Sequence, residues 1–299
     1  MTVRAAPGRR FSPRGSNLGP MLVVALVVLF LYWPLMLWVN AGQAARALES
    51  GADLGCATAL SCATQLRNPV LPAPGQLAQA FKALSVPPLA PTSAPYNTLV
   101  TAGETLVGLA IASVLGVLLA LFLVVSRGFE RAVLPWLIAS QTVPIIALAP
   151  MLAVVLGQYG VQGWLPKALI ASYIAFFPVA VGVARGLRSP DPLQLDLMRT
   201  YNAPRAGVFW KLQLPASVPF LFTALKVAAT SALIGSIVAE ISTISFSGLG
   251  KMLAENSRAS DTLALWTIMF YGAALGIGLV AFIGLLERWV TPWRAGQPK

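Results

Sequence analysis

Long apolar runs separated by short segments with basic residues at their edges dominate the chain. A helix needs about 20 apolar residues to cross the roughly 30 Å hydrocarbon core of a bilayer. Six stretches qualify: Met21–Asn40, Thr98–Val125, Ala132–Leu156, Trp164–Leu187, Val218–Ile241 and Thr262–Leu286. The pattern predicts an all-α integral membrane protein with six transmembrane helices and leaves no long polar segment for a soluble catalytic domain. The largest gap, Ala41 to Tyr96, holds seven prolines and two cysteines. It is expected to be an extracytoplasmic loop with one short helix near Pro74–Leu84. The remaining division is a basic tail over residues 1–20, a five-helix core over 97–290 and a short tail over 291–299.

Composition agrees with the pattern. Of 299 residues, 57% are hydrophobic and 10% charged, and the mean hydropathy is +0.75; ordinary soluble domains are about 25% charged. The net charge of +11 does not point to nucleic acid, because the basic residues sit at the ends of apolar runs, where membrane topology places them. Histidine is absent, which removes the commonest general base and metal ligand at neutral pH. Cys56 and Cys62 alone cannot supply a four-ligand zinc site.

Counting Lys and Arg sets an expected orientation. With the N-terminus in the cytoplasm, the inner segments hold Arg4, Arg9, Arg10, Arg14, Arg127, Arg131, Arg185, Arg188, Arg199, Arg205, Lys211, Arg288, Arg294 and Lys299. The outer segments hold Arg46, Arg67, Lys82, Lys167, Lys251 and Arg258, and Lys226 lies inside a span. Both termini are then cytoplasmic. Cys56 and Cys62 fall outside, where oxidation is permitted, so a disulfide is expected. The first span has a rival reading as a signal peptide, but its apolar run exceeds the usual 7–15-residue signal core and contains Tyr32, Trp33 and Trp38.

The third span carries Pro135, Pro144 and Pro150, with Gln141 and Thr142 beside the second. Proline within a helix frees a carbonyl and kinks the axis, and in a membrane such groups need protein or water nearby. Two readings stand: a packing kink, or a path lined by Gln141, Thr142 and Met151 together with Ser236 of the fifth span. Small residues at Gly108, Ala112 and Gly116, and at Gly272 and Gly276, predict close helix approach. Lys226 is open to two readings as well. It attracts an anionic solute, or it serves a structural or gating role with its ammonium snorkelling to the headgroups. Glu240 near the end of the same span is a second structural or gating charge.

Between the fourth and fifth spans lies "SPDPLQLDLMRTYNAPRAGVFWKLQLP", Ser189 to Pro215. Asp191 suits an N-cap and Pro192 the first helical position. Asn202 suits the left-handed residue that closes the helix. Pro204 starts a second helix, and Pro215 is expected to end it and open the fifth span. Leu193, Leu197, Met198 and Tyr201 share one face. Such a helix either lies in the membrane interface or docks on a partner, since so short a helix is unstable alone.

This passage resembles the "EAA" loop of the membrane subunits of ABC importers, a Glu-Ala-Ala, three variable residues, a Gly and a closing Leu-Pro. Asp196 falls on the Glu, Leu197 and Met198 on the alanines, Asn202 on the Gly, and Leu214-Pro215 on the Leu-Pro. Arg199, Thr200, Tyr201 and Ala203 complete the loop. "FLFTALKVAATSALIGSIVAE" is similar to the family's fifth span, including Lys226 and Glu240. The similarity runs from about Thr98 to Trp289 and is nearest the nitrate/sulfonate/taurine-type branch. "ASQTVPIIALAP" resembles members assigned to pyrimidine or riboflavin-precursor uptake. Leu197 and Met198 are larger than the alanines they replace.

The resemblance implies a type I importer permease in the inner membrane, with Asp196 to Ala203 coupling to an ATPase. It implies two ABC ATPase subunits, a second permease subunit, an extracytoplasmic solute-binding protein, and no cofactor on this chain beyond the partner's ATP and Mg. "GLGKM", Gly248 to Met252, is no P-loop: Ser245 stands where the motif's first Gly belongs and Met252 where Ser or Thr belongs. An intramembrane enzyme would need a nucleophile–base pair or clustered carboxylates, and the ten acids are dispersed. A secondary transporter or channel is the alternative; ionisable residues near the bilayer midplane would favour it, and Lys226 is the one deep charge.

Overall fold

The computed structural model describes residues 18–50, 56, 58–243 and 246–292. Arg4, Arg9, Arg10, Arg14, Ser245, Arg294 and Lys299, used above, lie outside the described residues. The regular structure among the described residues is helical, and the chain divides into two units, Met1–Gln76 and Leu77–Lys299.

The first unit is built on α1 (Leu18–Glu49), which runs past Asn40, where the apolar run ends. Its polar residues find partners in the following loop. The Asn40 amide donates to Ala63 O and Leu71 O and accepts from Leu71 N–H. Gln43 donates to Asn68 O and accepts from Val70 N–H, and the Tyr32 hydroxyl donates to Pro72 O at 2.7 Å. Irregular backbone needs every polar group satisfied, and a side-chain amide offers both donor and acceptor. Residues 63–72 are thus strapped along α1. A four-residue helix, α2 (Ala59–Cys62), is held by a Thr58–Ser61 capping box. Cys56 and Cys62 are joined by a disulfide with Cα atoms 5.5 Å apart. The segment read as a loop with one short helix contains that helix as α3 (Pro74–Ser85), which continues into the second unit, and in addition the end of α1 and α2.

The second unit continues with α4 (Ala94–Val125), α5 (Arg127–Ser140), α6 (Ile145–Gln158), α7 (Trp164–Leu187), α8 (Pro192–Thr200) and α9 (Arg205–Val208). A π-helical turn over Phe209–Gln213 leads into α10 (Leu214–Ser242), followed by α11 (Leu249–Arg258) and α12 (Thr262–Val290). Ser93 caps α4 by accepting from Tyr96 N–H, and Ser126 both ends α4 and caps α5. Among the described residues five helices are long and apolar enough to cross a membrane, or six if the α5–α6 pair is one span.

The core is the seam of α4, α7 and α10, closed by small residues. A Cβ on Gly108 would lie 2.7 Å from both Ala168 O and Ala171 Cβ; one on Gly116 would lie 2.7 Å from Val179 Cβ. Ala112 between them is fully buried. Gly182 and Gly186 repeat the device against α10, with a Cβ 2.4 Å from Ala224 Cβ and 2.8 Å from Phe220 Cβ respectively. Without a hydrophobic drive between helices in lipid, such close backbone approach gains packing. Gly272 does not share this role: the nearest atom to its Cβ position is Ile237 Cδ1 at 4.0 Å. Gly276, four residues on, does approach α10, with a Cβ 3.3 Å from Leu233 Cδ2, so the same spacing marks a seam along α4 and a single close point on α12.

The third expected span is not one helix. It breaks at Gln141–Pro144 into α5 and α6, which meet at 98°. Pro144 cannot donate to a continuing ladder, and the freed end of α5 is taken up by the Tyr173 hydroxyl, which donates to Ser140 O at 2.6 Å.

Candidate functional site

The passage after α7 forms a compact handle. Arg188, at the C-cap of α7, donates to Glu130 Oε1 at 2.5 Å, Glu130 Oε2 at 2.8 Å and Leu123 O at 2.8 Å. A planar guanidinium can bind a carboxylate at two points, and Leu123 offers one of the carbonyls left open in the last turn of α4. Arg188 thereby binds α4, α5 and α7 together at the point where α8 leaves.

Both ends of α8 are closed. Asp191 accepts from Leu193 N–H at 2.9 Å, and Gln194 reaches back to the Asp191 N–H. At the other end Asn202 has φ 49°, Asn202 N–H donates to Arg199 O at 2.8 Å and Ala203 N–H to Met198 O at 3.0 Å. That pair of bonds around a left-handed residue is a Schellman cap. Asp196 and Arg199 pair along the exposed side, and Thr200 donates to Asp196 O. Leu193, Leu197 and Tyr201 are 77%, 55% and 76% exposed. Met198, grouped with them in sequence, is half-buried, as is Leu195, so the open apolar face consists of Leu193, Leu197 and Tyr201. Nine residues of helix do not hold their shape alone; the caps fix α8 with its apolar face outward.

Pro204 caps α9, but Pro215 does not end the helix. The π turn intervenes, with Leu214 N–H donating to Phe209 O, and α9 and α10 run as one helical segment from Arg205 to Ser242. Proline's ring presses on the carbonyl four residues back; the wider turn just before Pro215 opens the backbone there, so the handle and the membrane helix stay connected.

Two lysines of the spans are paired. Lys226 binds Glu287 of α12, and Lys167 of α7 binds Glu104 of α4, both buried. Glu240 is 1% exposed and accepts from Thr101 and from Gly250 N–H. The Glu104–Lys167 and Glu130–Arg188 pairs escape a sequence reading, because their members lie on different helices with nothing local to link them.

The residues expected along a path separate. Gln141 and Thr142 are exposed at the α5–α6 break, and Met151 on α6 is 65% exposed. Ser236 stands apart from them: it is fully buried and hydrogen-bonded to Thr105 at 3.1 Å, inside the α4–α10 seam. A polar residue in an apolar span can satisfy itself on a neighbouring helix, and Ser236 does so. A cavity of about 430 Å³ lies elsewhere, walled by Pro150, Ala153 and Gly157 of α6, Lys167 of α7, and Ser242 and Thr243 at the end of α10.

Residues 112–295 match the family described as the binding-protein-dependent transport system inner membrane component. The chain belongs to this family. It is 35% identical over 191 residues to the formylaminopyrimidine transport permease protein ThiX of Halalkalibacterium halodurans, covering 64% of this chain and 74% of that one. It is 29% identical over 173 residues to the riboflavin transport system permease protein RibX of Chloroflexus aurantiacus, covering 56% and 61%. Against the putative aliphatic sulfonates transport permease protein SsuC of Bacillus subtilis it is 28% identical over 180 residues, covering 60% and 63%. The family and the apolar helices together make this an integral membrane protein and the permease component of an ABC importer. The matched region takes in the broken third span, the handle and the seam from Ala112 onward.

Proposed function

We propose that this permease carries a small solute inward by alternating access, driven by ATP hydrolysed in separate subunits that grip the handle. The observation that carries the reading is the doubly capped α8 with Leu193, Leu197 and Tyr201 outward, joined through the turn at Tyr201–Pro204 to the single helical segment of α9 and α10. A groove on an ATPase covers that face, and nucleotide-driven closure of the ATPases pulls the handle and shifts the membrane helices between two global states. Two ATPase subunits with their ATP and Mg, a second permease subunit and an extracytoplasmic solute-binding protein complete the assembly. The termini and the handle lie in the cytoplasm, and the membrane is the inner one.

For the solute we infer an uncharged or weakly charged heterocycle of the pyrimidine or riboflavin-precursor kind rather than a nitrate- or sulfonate-like anion. Two observations support it. The relative at 35% identity is named for formylaminopyrimidine, and Lys226 and Lys167 each already have a carboxylate partner. A paired ammonium has little remaining attraction for an anion.

A tagged chain purified from its membrane is expected to bring an ATPase with it, and Leu197→Asp is expected to lose that ATPase while inserting normally. Full retention of the ATPase by Leu197→Asp sinks the docking assignment. In proteoliposomes of the assembly with its binding protein, labelled formylaminopyrimidine should be taken up and nitrate should not compete; competition by nitrate reverses the solute reading.

A further inference from the structure

The start of α11 is capped from a distance. The first turn of any helix leaves N–H groups without partners inside the helix, and a residue adjacent in sequence usually takes one of them. Here the N-cap is Gly248, which has no side chain to offer. Three successive N–H groups instead point at side chains of α4 and α10. Gly248 N–H donates to Asn97 Oδ1 at 2.6 Å, Leu249 N–H to Thr101 Oγ1 at 2.9 Å and Gly250 N–H to Glu240 Oε2 at 2.6 Å. The Thr101 hydroxyl donates to Glu240 Oε1 at 2.8 Å, and the Asn97 amide is oriented by donating to Pro91 O and Ser93 O. Asn97, Thr101 and Glu240 are buried.

Gly248 and Gly250 are part of the same device. Gly248 has φ 116°, and a Cβ there would fall 2.2 Å from Glu240 Cδ; a Cβ on Gly250 would fall 2.3 Å from Ile237 O. The "GLG" that fails as a phosphate loop in sequence is the seat of this close approach.

We propose that Glu240 of α10, with Thr101 and Asn97 of α4, positions α11 so that it travels with these two helices during transport. The proposal rests on the permease reading above. α10 belongs to one helical segment of 38 residues from Arg205 to Ser242, roughly 57 Å at 1.5 Å per residue. Its first turns are the handle, and Glu240 stands in its last. A displacement imposed at Arg205 therefore arrives at Glu240, and α11, which has no cap of its own, follows. The far side of α11 exposes Glu255, Ser257 and Arg258, so a signal from one face of the membrane reaches a surface on the other.

The test uses the full chain in liposomes with its co-purified ATPase. Ser257→Cys supplies a label site on α11, and the native cysteines are silent because they are bonded to each other. A membrane-impermeant maleimide should label this position at different rates without nucleotide and with ATP plus vanadate. In Glu240→Gln and in the near-isosteric Thr101→Val, that difference should shrink by roughly fivefold, the net worth of about one hydrogen bond, while the ATPase stays bound. A nucleotide effect persisting in both variants overturns the proposal. So does a parent that binds ATPase and hydrolyses ATP with no change at residue 257, and so does failure of both variants to fold, which would make the cluster a folding element alone. A parent that retains no ATPase overturns the permease reading first and this inference with it.

Discussion

The α4–α7–α10 seam and the pair formed by the broken third span and the handle are built from the same apolar vocabulary, yet one is closed and the other open. In the seam Gly108, Gly116, Gly182 and Gly186 let backbones touch, and polar residues such as Ser236 and Thr105 bond to each other. Along α5 and α6, Trp136, Ile146, Met151 and Val154 remain exposed, as do Leu193, Leu197 and Tyr201 on α8. The seam is finished within one chain. The open regions are finished only by lipid or by another subunit. In a bilayer, hydrophobicity does not separate inside from outside as it does in water; the presence of small residues does.

The largest effect should come from filling the seam. Gly116→Leu would place a Cβ 2.7 Å from Val179 Cβ and 2.9 Å from Phe176 O. Overpacking of this kind costs about 1–3 kcal/mol even where neighbours can shift, and a backbone carbonyl cannot shift cheaply. The variant should fail to accumulate as a monodisperse species in detergent. Gly272→Leu, of identical chemistry but with only Ile237 Cδ1, at 4.0 Å, beside its Cβ position, should accumulate normally. Equal yields of the two would erase the distinction between the seam and the looser position on α12.

Next in size is the handle. Asn202→Val forces a β-branched residue into the left-handed region, where an ordinary residue costs roughly 1–2 kcal/mol. The Schellman cap should be lost and α8 misdirected, weakening ATPase binding about tenfold, since 1.4 kcal/mol is a factor of ten. Membrane insertion and thermal stability should match the parent, because residue 202 lies outside the seam. A titration of purified ATPase against the variant decides; unchanged affinity with parental transport would return α8 to the role of a helix resting on the membrane surface.

How much of the molecule is legible in its sequence follows the same division. Span positions can be read because twenty apolar residues are a local signal, and Trp164–Leu187 matches α7 residue for residue. The ends of α8 are legible because capping depends on Asp191, Pro192 and Asn202 themselves. Three features are not legible. At Gln141–Pro144 the proline announces a kink, but neither its 98° angle nor the partner of Ser140 O, Tyr173 some thirty residues away, can be read locally. The survival of the helix through Pro215 depends on a π turn that no residue type announces. The role of "GLG" depends on Glu240, Thr101 and Asn97 arriving from other helices. Local chemistry predicts elements and their ends; the fate of a polar residue inside an apolar span is set by the helix it meets.

A smaller effect should follow Tyr173→Phe, which removes one hydroxyl from the break and leaves Ser140 O to find water or nothing. A net hydrogen bond is worth about 1 kcal/mol, so the thermal midpoint in detergent should fall by a few degrees. A wholly unchanged midpoint would mean that water already serves Ser140 O and that the break is open to solvent.

The smallest perturbation separates the four positions that polarity and flexibility group as one path. Cysteine can replace Ser236 with little change of volume, and Gln141, Thr142 and Met151 are exposed, so their replacement removes no core packing. Cysteines at 141, 142 and 151 should react with small polar thiol reagents in the assembled transporter, with nucleotide or solute altering the rate, since all three stand on the open side of the broken span. A cysteine at 236 should stay inert in every state, because α4 and α10 enclose that side chain completely and Thr105 occupies its polar side. Stability should be near parental in all four, so the readout is reactivity alone. Labelling at 236 that appears only with nucleotide would mean that the α4–α10 seam opens during transport. The closed region would then join the path, and the contrast between the two regions would describe a single state of the cycle.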